Sequence, residues 1–270
     1  VSCLAEQAKI LVAEAWENHK DSQWHRWHTC SLCEQDYHGV VACAIGWACW
    51  KTYVGQPETD QTRGMAMSVL GLGLAGAGHH EDELSVREAE LSMKRRLGAD
   101  EDGMLVAQSN LASTYDALGR HQDSLRMSRD VYFGMLKLHG EEHFDSLTEA
   151  HNYTSSLLCL RYFKEAKELM RKTIPVAQRV LGASHDLTLT LRTNYAHTLI
   201  RDDSSTLDDL REAVTTLEEA EQTARRVLGG AYPTTGVIER SLRKARAALS
   251  ARDGSSLSEA FAAMTPSPRV

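Results

Sequence analysis

Cys30, Cys33, His38 and Cys43 follow one another with two, four and four residues between them. Two thiolates on a tight turn, an imidazole and a third thiolate are the donors that tetrahedral zinc takes, so this segment is a candidate site for one structural zinc. A second account fits the same residues. Val40 to Tyr53 is apolar almost all round, and Cys43 and Cys49 then read as small hydrophobes inside a buried helix. A redox role for Cys30 and Cys33 would need a helix start beside a βαβ pattern, which the sequence lacks. A two-zinc ligase-type module would need eight donors, and these residues with Cys49 and His25 or His28 fall short of that at irregular spacing.

The other residues whose spacing carries meaning are three asparagines, Asn110, Asn152 and Asn194, each 42 residues from the next. Gly98, Gly140 and Gly182 keep the same step, while Gly229 follows 47 residues after Gly182. The five extra residues fall in the polar stretch Arg201 to Thr206, a turn, where added length costs little entropy and leaves helix stacking intact. Repetition at this period signals an array of supersecondary units.

Each unit must supply two helices to carry these residues. From about Met104 to Leu118 the apolar positions Leu111, Ala112, Tyr115 and Leu118 recur at helical spacing, and Gly119 stops the run. A second run through Leu125, Val131, Met135 and Leu138 ends at His139-Gly140. The expected fold is all-α, a right-handed superhelical array of helix-turn-helix repeats over 62–250. A Trp- and Cys-rich helical cap would occupy 1–61 and a flexible tail 251–270. All five tryptophans lie before residue 51. Gly71, Gly73, Gly76 and Gly78 sit on a helical face and predict close helix packing; His79, His80 and Glu81-Asp82-Glu83 read as a solvated turn.

These repeats resemble those of kinesin light chains, of the tetratricopeptide kind. The carrying residues are Leu181-Gly182-Ala183-Ser184-His185-Asp186-Leu187-Thr188 followed by Asn194-Tyr195-Ala196, the junction Gly229 to Thr235, and the turn Leu118 to Leu125. Asp186 stands where that repeat has proline, and Tyr153 and Tyr195 where it has leucine. The segment Cys30 to Gly39 is similar to one found ahead of such repeats in an N-terminal cap. It also matches the spacing of a zinc knuckle, with Glu34 and Tyr37 in place of glycines.

The resemblance implies a protein-interaction scaffold. Stacked hairpins leave a concave face lined by the first helix of each repeat. In that family the recurrent asparagine lines the groove and bonds the backbone of an extended peptide, as a carboxamide both donates and accepts. Carried over, Asn110, Asn152 and Asn194 bind the peptide. Val106, Ser113, Thr148, Ser155, Thr190 and His197 share the face by helical spacing. The plainer alternative has each asparagine bonding a neighbouring helix's backbone.

Composition narrows the rest. With 42% hydrophobic and 25% charged residues among 270, the chain buries a core. Its net charge of −7 is spread over mixed-sign helices, so nucleic acid finds no basic footprint. No apolar run spans a bilayer, no basic, apolar leader opens the chain, and four of six cysteines crowd between 30 and 49, which points to a reducing, cytoplasmic setting. None of the phosphate-binding, zinc-protease or serine-hydrolase motifs occurs, which argues against an enzyme. The alternative function is a zinc-bearing adaptor whose Cys/His module contacts nucleic acid or a ubiquitin-pathway partner.

Overall fold

A computed structural model describes the backbone of residues 2–17 and 23–264 and the side chains of 2–15 and 23–253. Over these residues the protein is an all-α array of helix-turn-helix units, with one isolated bridge between Thr29 and Asp36. The helices are α1 (Ser2–Glu17), α2 (Gly39–Tyr53), α3 (Gln61–Gly76), α4 (His80–Leu97), α5 (Glu101–Ala117), α6 (His121–His139), α7 (Phe144–Cys159), α8 (Phe163–Leu181), α9 (Asp186–Arg201), α10 (Leu207–Val227) and α11 (Pro233–Met264). A 3-10 turn at Trp24–Trp27 follows α1. The chain divides into two compact units, 1–131 and 132–270.

Local chemistry sets the helix boundaries. Asp60 caps α3 and Asp100 caps α5 through their carboxylates, and His143 and His185 cap α7 and α9 by accepting a backbone N–H at Nδ1. The histidine of the repeat junction therefore starts a helix. Gly140 and Gly182, with φ of +85° and +92°, take backbone conformations that side chains disfavour and so reverse the chain. The insertion folds as the sequence predicts. Asp202 accepts from the Ser204 N–H at 2.9 Å, and Thr206 with Asp209 forms a capping box that starts α10.

In the first unit, Val12, Trp24, Trp27, Ile45, Cys49 and Val69 form one apolar cluster, with Tyr53 tilted against Trp24 at 5.1 Å. Helices α2 and α3 pack backbone to backbone. A Cβ on Gly73 would lie 2.5 Å from the Ala42 carbonyl oxygen, whereas one on Gly76 would meet only the Ala42 methyl at 3.4 Å. The solvated-turn reading is corrected for Glu83. It lies inside α4 and is buried with Arg87 and Glu90. Thr114 donates to Glu83 at 2.9 Å and Arg87 to Glu90 at 3.2 Å, so these charges are paired where they are buried.

In the second unit, Leu147, Met170, Leu189, Leu199, Leu217, Ile238 and Leu242 make the core, and Ala213, Ala220 and Ala224 bring α10 close. Tyr195, in the leucine position of the resembled repeat, keeps its ring in this core while its hydroxyl donates to Glu212 at 2.7 Å and accepts from Arg171 at 2.9 Å. The segment expected to be a loose tail from 251 continues α11 through Met264; residues 265–270 lie outside the described residues.

The contrast between two glycines is testable. Gly73→Ala is expected to cost about 1–3 kcal/mol through overpacking. Gly76→Ala should be neutral or stabilising by up to about 1 kcal/mol from helix propensity. Thermal unfolding followed by tryptophan fluorescence reports on this region, because every tryptophan lies before residue 51.

Candidate peptide-binding face

The six residues expected to bind a peptide all fall on first helices: Asn110 and Ser113 on α5, Asn152 and Ser155 on α7, Asn194 and His197 on α9. Their neighbours in sequence, Leu111, Tyr153 and Tyr195, are buried, which turns the asparagines outward by one helical step. Asn110, Asn152 and Asn194 are all half-exposed. Ser113 and Ser155 donate to the carbonyls of Ser109 and His151 one turn back, at 3.2 and 3.1 Å.

The partners of the asparagines differ. In the second unit, Asn152 Nδ2 donates to Glu149 Oε2 at 3.2 Å, within its own helix. Asn194 Nδ2 lies 3.0 Å from His151 Nδ1 and so links α9 to α7. His197 Nε2 lies 2.8 Å from Ser241 Oγ and links α9 to α11. In each of these contacts the partner is another side chain. Burial lowers the pKa of both imidazoles, since charging them would need solvation they lack; Lys244 and Arg201 lower His197 further. The second unit thus carries a polar seam, His151 and Asn152 on α7, Asn194 and His197 on α9 and Ser241 on α11, across three successive first helices. Sequence reasoning missed His151 and Ser241. Ser241 stands 47 residues after Asn194, the same step as from Gly182 to Gly229, and so holds the asparagine position of the next unit, a signal the register offers; His151 has none, and only the packing of α7 against α9 makes it a partner.

The cysteine segment is only partly assembled. Residues 28–37 fold back on themselves, with Tyr37 N donating to His28 O at 2.8 Å and Cys30 N to Gln35 O at 2.8 Å. Cys30 and Cys33 share the turn, and the backbone N–H groups of Cys33 and Leu32 aim at the Cys30 sulfur and hold its thiol pKa down. His38 and Cys43 go elsewhere: His38 is the N-cap residue of α2 and Cys43 lies within that helix. Among the described residues, Cys30, Cys33, His38 and Cys43 do not form a group of three or more donors within 4.8 Å of one another. One such group is instead His139, His143 and Asp145, at the junction of α6 and α7. Cys49 is buried in the apolar cluster, which pushes its thiol pKa above the ordinary value.

The tetratricopeptide repeat family matches residues 104–145 and 151–186. Comparison with curated proteins finds no match. Among solved structures, the nearly identical TPR-like repeats of a Podosopora anserina protein described as a kinesin light chain align with TM-score 0.59 and 19% identity, over 70% of this chain and 88% of that one. BtubC (BKLC) from P. vanneervenii aligns with TM-score 0.60 and 18% identity, over 85% and 94%. A Rap protein complexed with Competence and Sporulation Factor aligns with TM-score 0.50 and 13% identity, over 77% and 59%. Residues 104–145 and 151–186 are tetratricopeptide repeats, and the chain has the fold of the kinesin-light-chain-like repeat proteins.

Proposed function

We propose that the protein is a non-catalytic cytoplasmic scaffold that holds an extended peptide segment of a partner protein along the first-helix face of the repeats in its second unit, with Asn110 offering a position of the same kind in the first. The observation that supports this most is the half-exposure of each of Asn110, Asn152 and Asn194 beside buried apolar neighbours. A carboxamide so placed can bond both the N–H and the C=O of an extended chain. The Rap protein of similar fold is complexed with Competence and Sporulation Factor, which is a precedent for ligand capture on this architecture. No helix among the described residues is long and apolar enough to cross a membrane.

The test is selection of peptides from a random displayed library on the full chain, followed by titration against Asn152→Ala and Asn194→Ala. Each substitution is expected to weaken binding about 3- to 10-fold, the worth of one hydrogen bond. Peptides that bind both variants unchanged would remove these residues from the site.

The same face predicts a pH dependence. His151 and His197 have folded pKa values below the unfolded one, so the unfolded chain takes up protons first as pH falls. Stability is fully present above about pH 6.5 and declines as pH drops through that value toward the folded pKa. Urea unfolding at pH 7.5 and 5.5 should show the decline, and a His151→Gln/His197→Gln variant should flatten it.

A second reading, a zinc-bearing adaptor at Cys30, Cys33, His38 and Cys43, is favoured by one observation: two N–H groups converge on the Cys30 sulfur and favour its thiolate, the form that binds a metal. His38 and Cys43 would have to move toward that turn. Under this reading, mass spectrometry finds one zinc per chain, absent from a Cys30→Ser/Cys33→Ser variant; zinc-free protein with an unchanged melting temperature in that variant overturns it.

A further inference from the structure

Between α6 and α8, over the back of α7, the second unit holds a cleft of about 340 Å³ on a different face from the asparagines. Its walls include Tyr132, Phe133 and Tyr153, whose ring centroids lie 5.1 to 6.5 Å apart. Glu141, Glu165 and Glu168 reach it with three carboxylates against the one ammonium of Lys172. Phe133 is 51% exposed, so one aromatic wall stands open to solvent. Ala150 lies on the floor.

The next repeat fills the corresponding place, with one charge exchanged: Glu219 stands where this cleft has Lys172. Tyr195 and Arg192 stand 42 residues after Tyr153 and Ala150, and Glu212 and Glu219 stand 47 residues after Glu165 and Lys172, once the insertion is counted. The tyrosine-glutamate pair recurs: Tyr153 donates to Glu165, and Tyr195 to Glu212. Where the earlier repeat has Ala150, however, the later one sends in Arg192. Its buried guanidinium donates to the Thr216 carbonyl at 3.2 Å and to Glu219 at 2.7 Å. A second guanidinium, Arg171, lies over the Tyr195 ring at 5.9 Å and bonds its hydroxyl. The later junction is filled with arginine; its earlier counterpart lacks the Arg192 side chain and is open.

We propose that this cleft receives an arginine side chain presented by a partner protein. Its guanidinium would stand over the aromatic wall, within reach of the glutamates, and its stem would cover Ala150 and Leu169. A planar, weakly hydrated cation suits both surfaces, through attraction to the ring faces and charge-assisted bonds to carboxylates. This site is independent of the asparagine face.

The experiment is a two-dimensional NMR titration of the labelled full chain with a capped Gly-Ala-Arg-Ala-Gly peptide, and with the same peptide carrying uncharged citrulline. The arginine peptide is expected to shift the amides of Ala150, Tyr153 and Leu169 saturably, with a Kd on the order of millimolar, and citrulline to bind roughly tenfold more weakly. Glu165→Gln/Glu168→Gln, at exposed positions, should weaken the arginine peptide about fivefold or more. Ala150→Arg, copying Arg192, should abolish its binding. Equal binding of the two peptides, no saturable shift up to about 20 mM, or full affinity in the glutamine variant would each overturn the proposal. The glutamine variant decides between these outcomes even if Ala150→Arg does not fold.

Discussion

A two-helix hairpin has more apolar surface than it can cover by itself, and everything in this protein follows from that shortage. Leu189 and Leu199 on α9 find cover only because Met170 on α8, Leu217 on α10 and Ile238 on α11 close around them. At about 25 cal/mol for each Å² of apolar surface removed from water, this mutual covering outweighs helix propensity as the source of order. A repeat whose helices lost their contacts would present its apolar stripe to water, so the glycine turn recurs in every unit, 42 residues apart from Gly98 to Gly182 and 47 from Gly182 to Gly229.

Ordering by neighbours explains where polar groups can sit. Faces pressed between helices hold charge beside opposite charge, as in the first unit, where Arg87 lies against Glu83 and Glu90 and Thr114 donates to Glu83. The asparagines lie at half-exposed positions of the first helices, and the aromatic cleft opens between α6 and α8. In the second unit the groups between Asn152 and His197 are amides and imidazoles, with Glu149 beside Asn152 and Lys244 and Arg201 near His197. The amides and neutral imidazoles discriminate by hydrogen-bond geometry, because desolvating them costs far less than desolvating an ion.

Much of this was legible in the residues alone. The period, two helices to each repeat, the insertion at 201–206 and the outward asparagines all follow from local spacing, because one apolar face of a helix shows in the sequence as a three- and four-residue recurrence. What stayed hidden depends on partners far apart in the chain. The Tyr195 hydroxyl meets Arg171, 24 residues away; Asn194 meets His151, 43 away; Glu83 meets Thr114, 31 away. The cysteine segment is only partly assembled for another reason. Spacing suits four donors on one loop, but α2 begins at Gly39 and carries Cys43 off on a helix, where backbone hydrogen bonding governs its direction.

The turn at 201–206 shows that the array measures its pitch in helix contacts and not in residues. Asp202 folds the extra chain back on itself, and Thr206 restarts the helix wherever the loop ends. Asp203 stands 91% exposed at the apex. That makes the apex a graft point: a protease site, an epitope or a small fluorescent domain spliced between Asp203 and Ser204 would ride on the array as a passenger, leaving α9 and α10 in register.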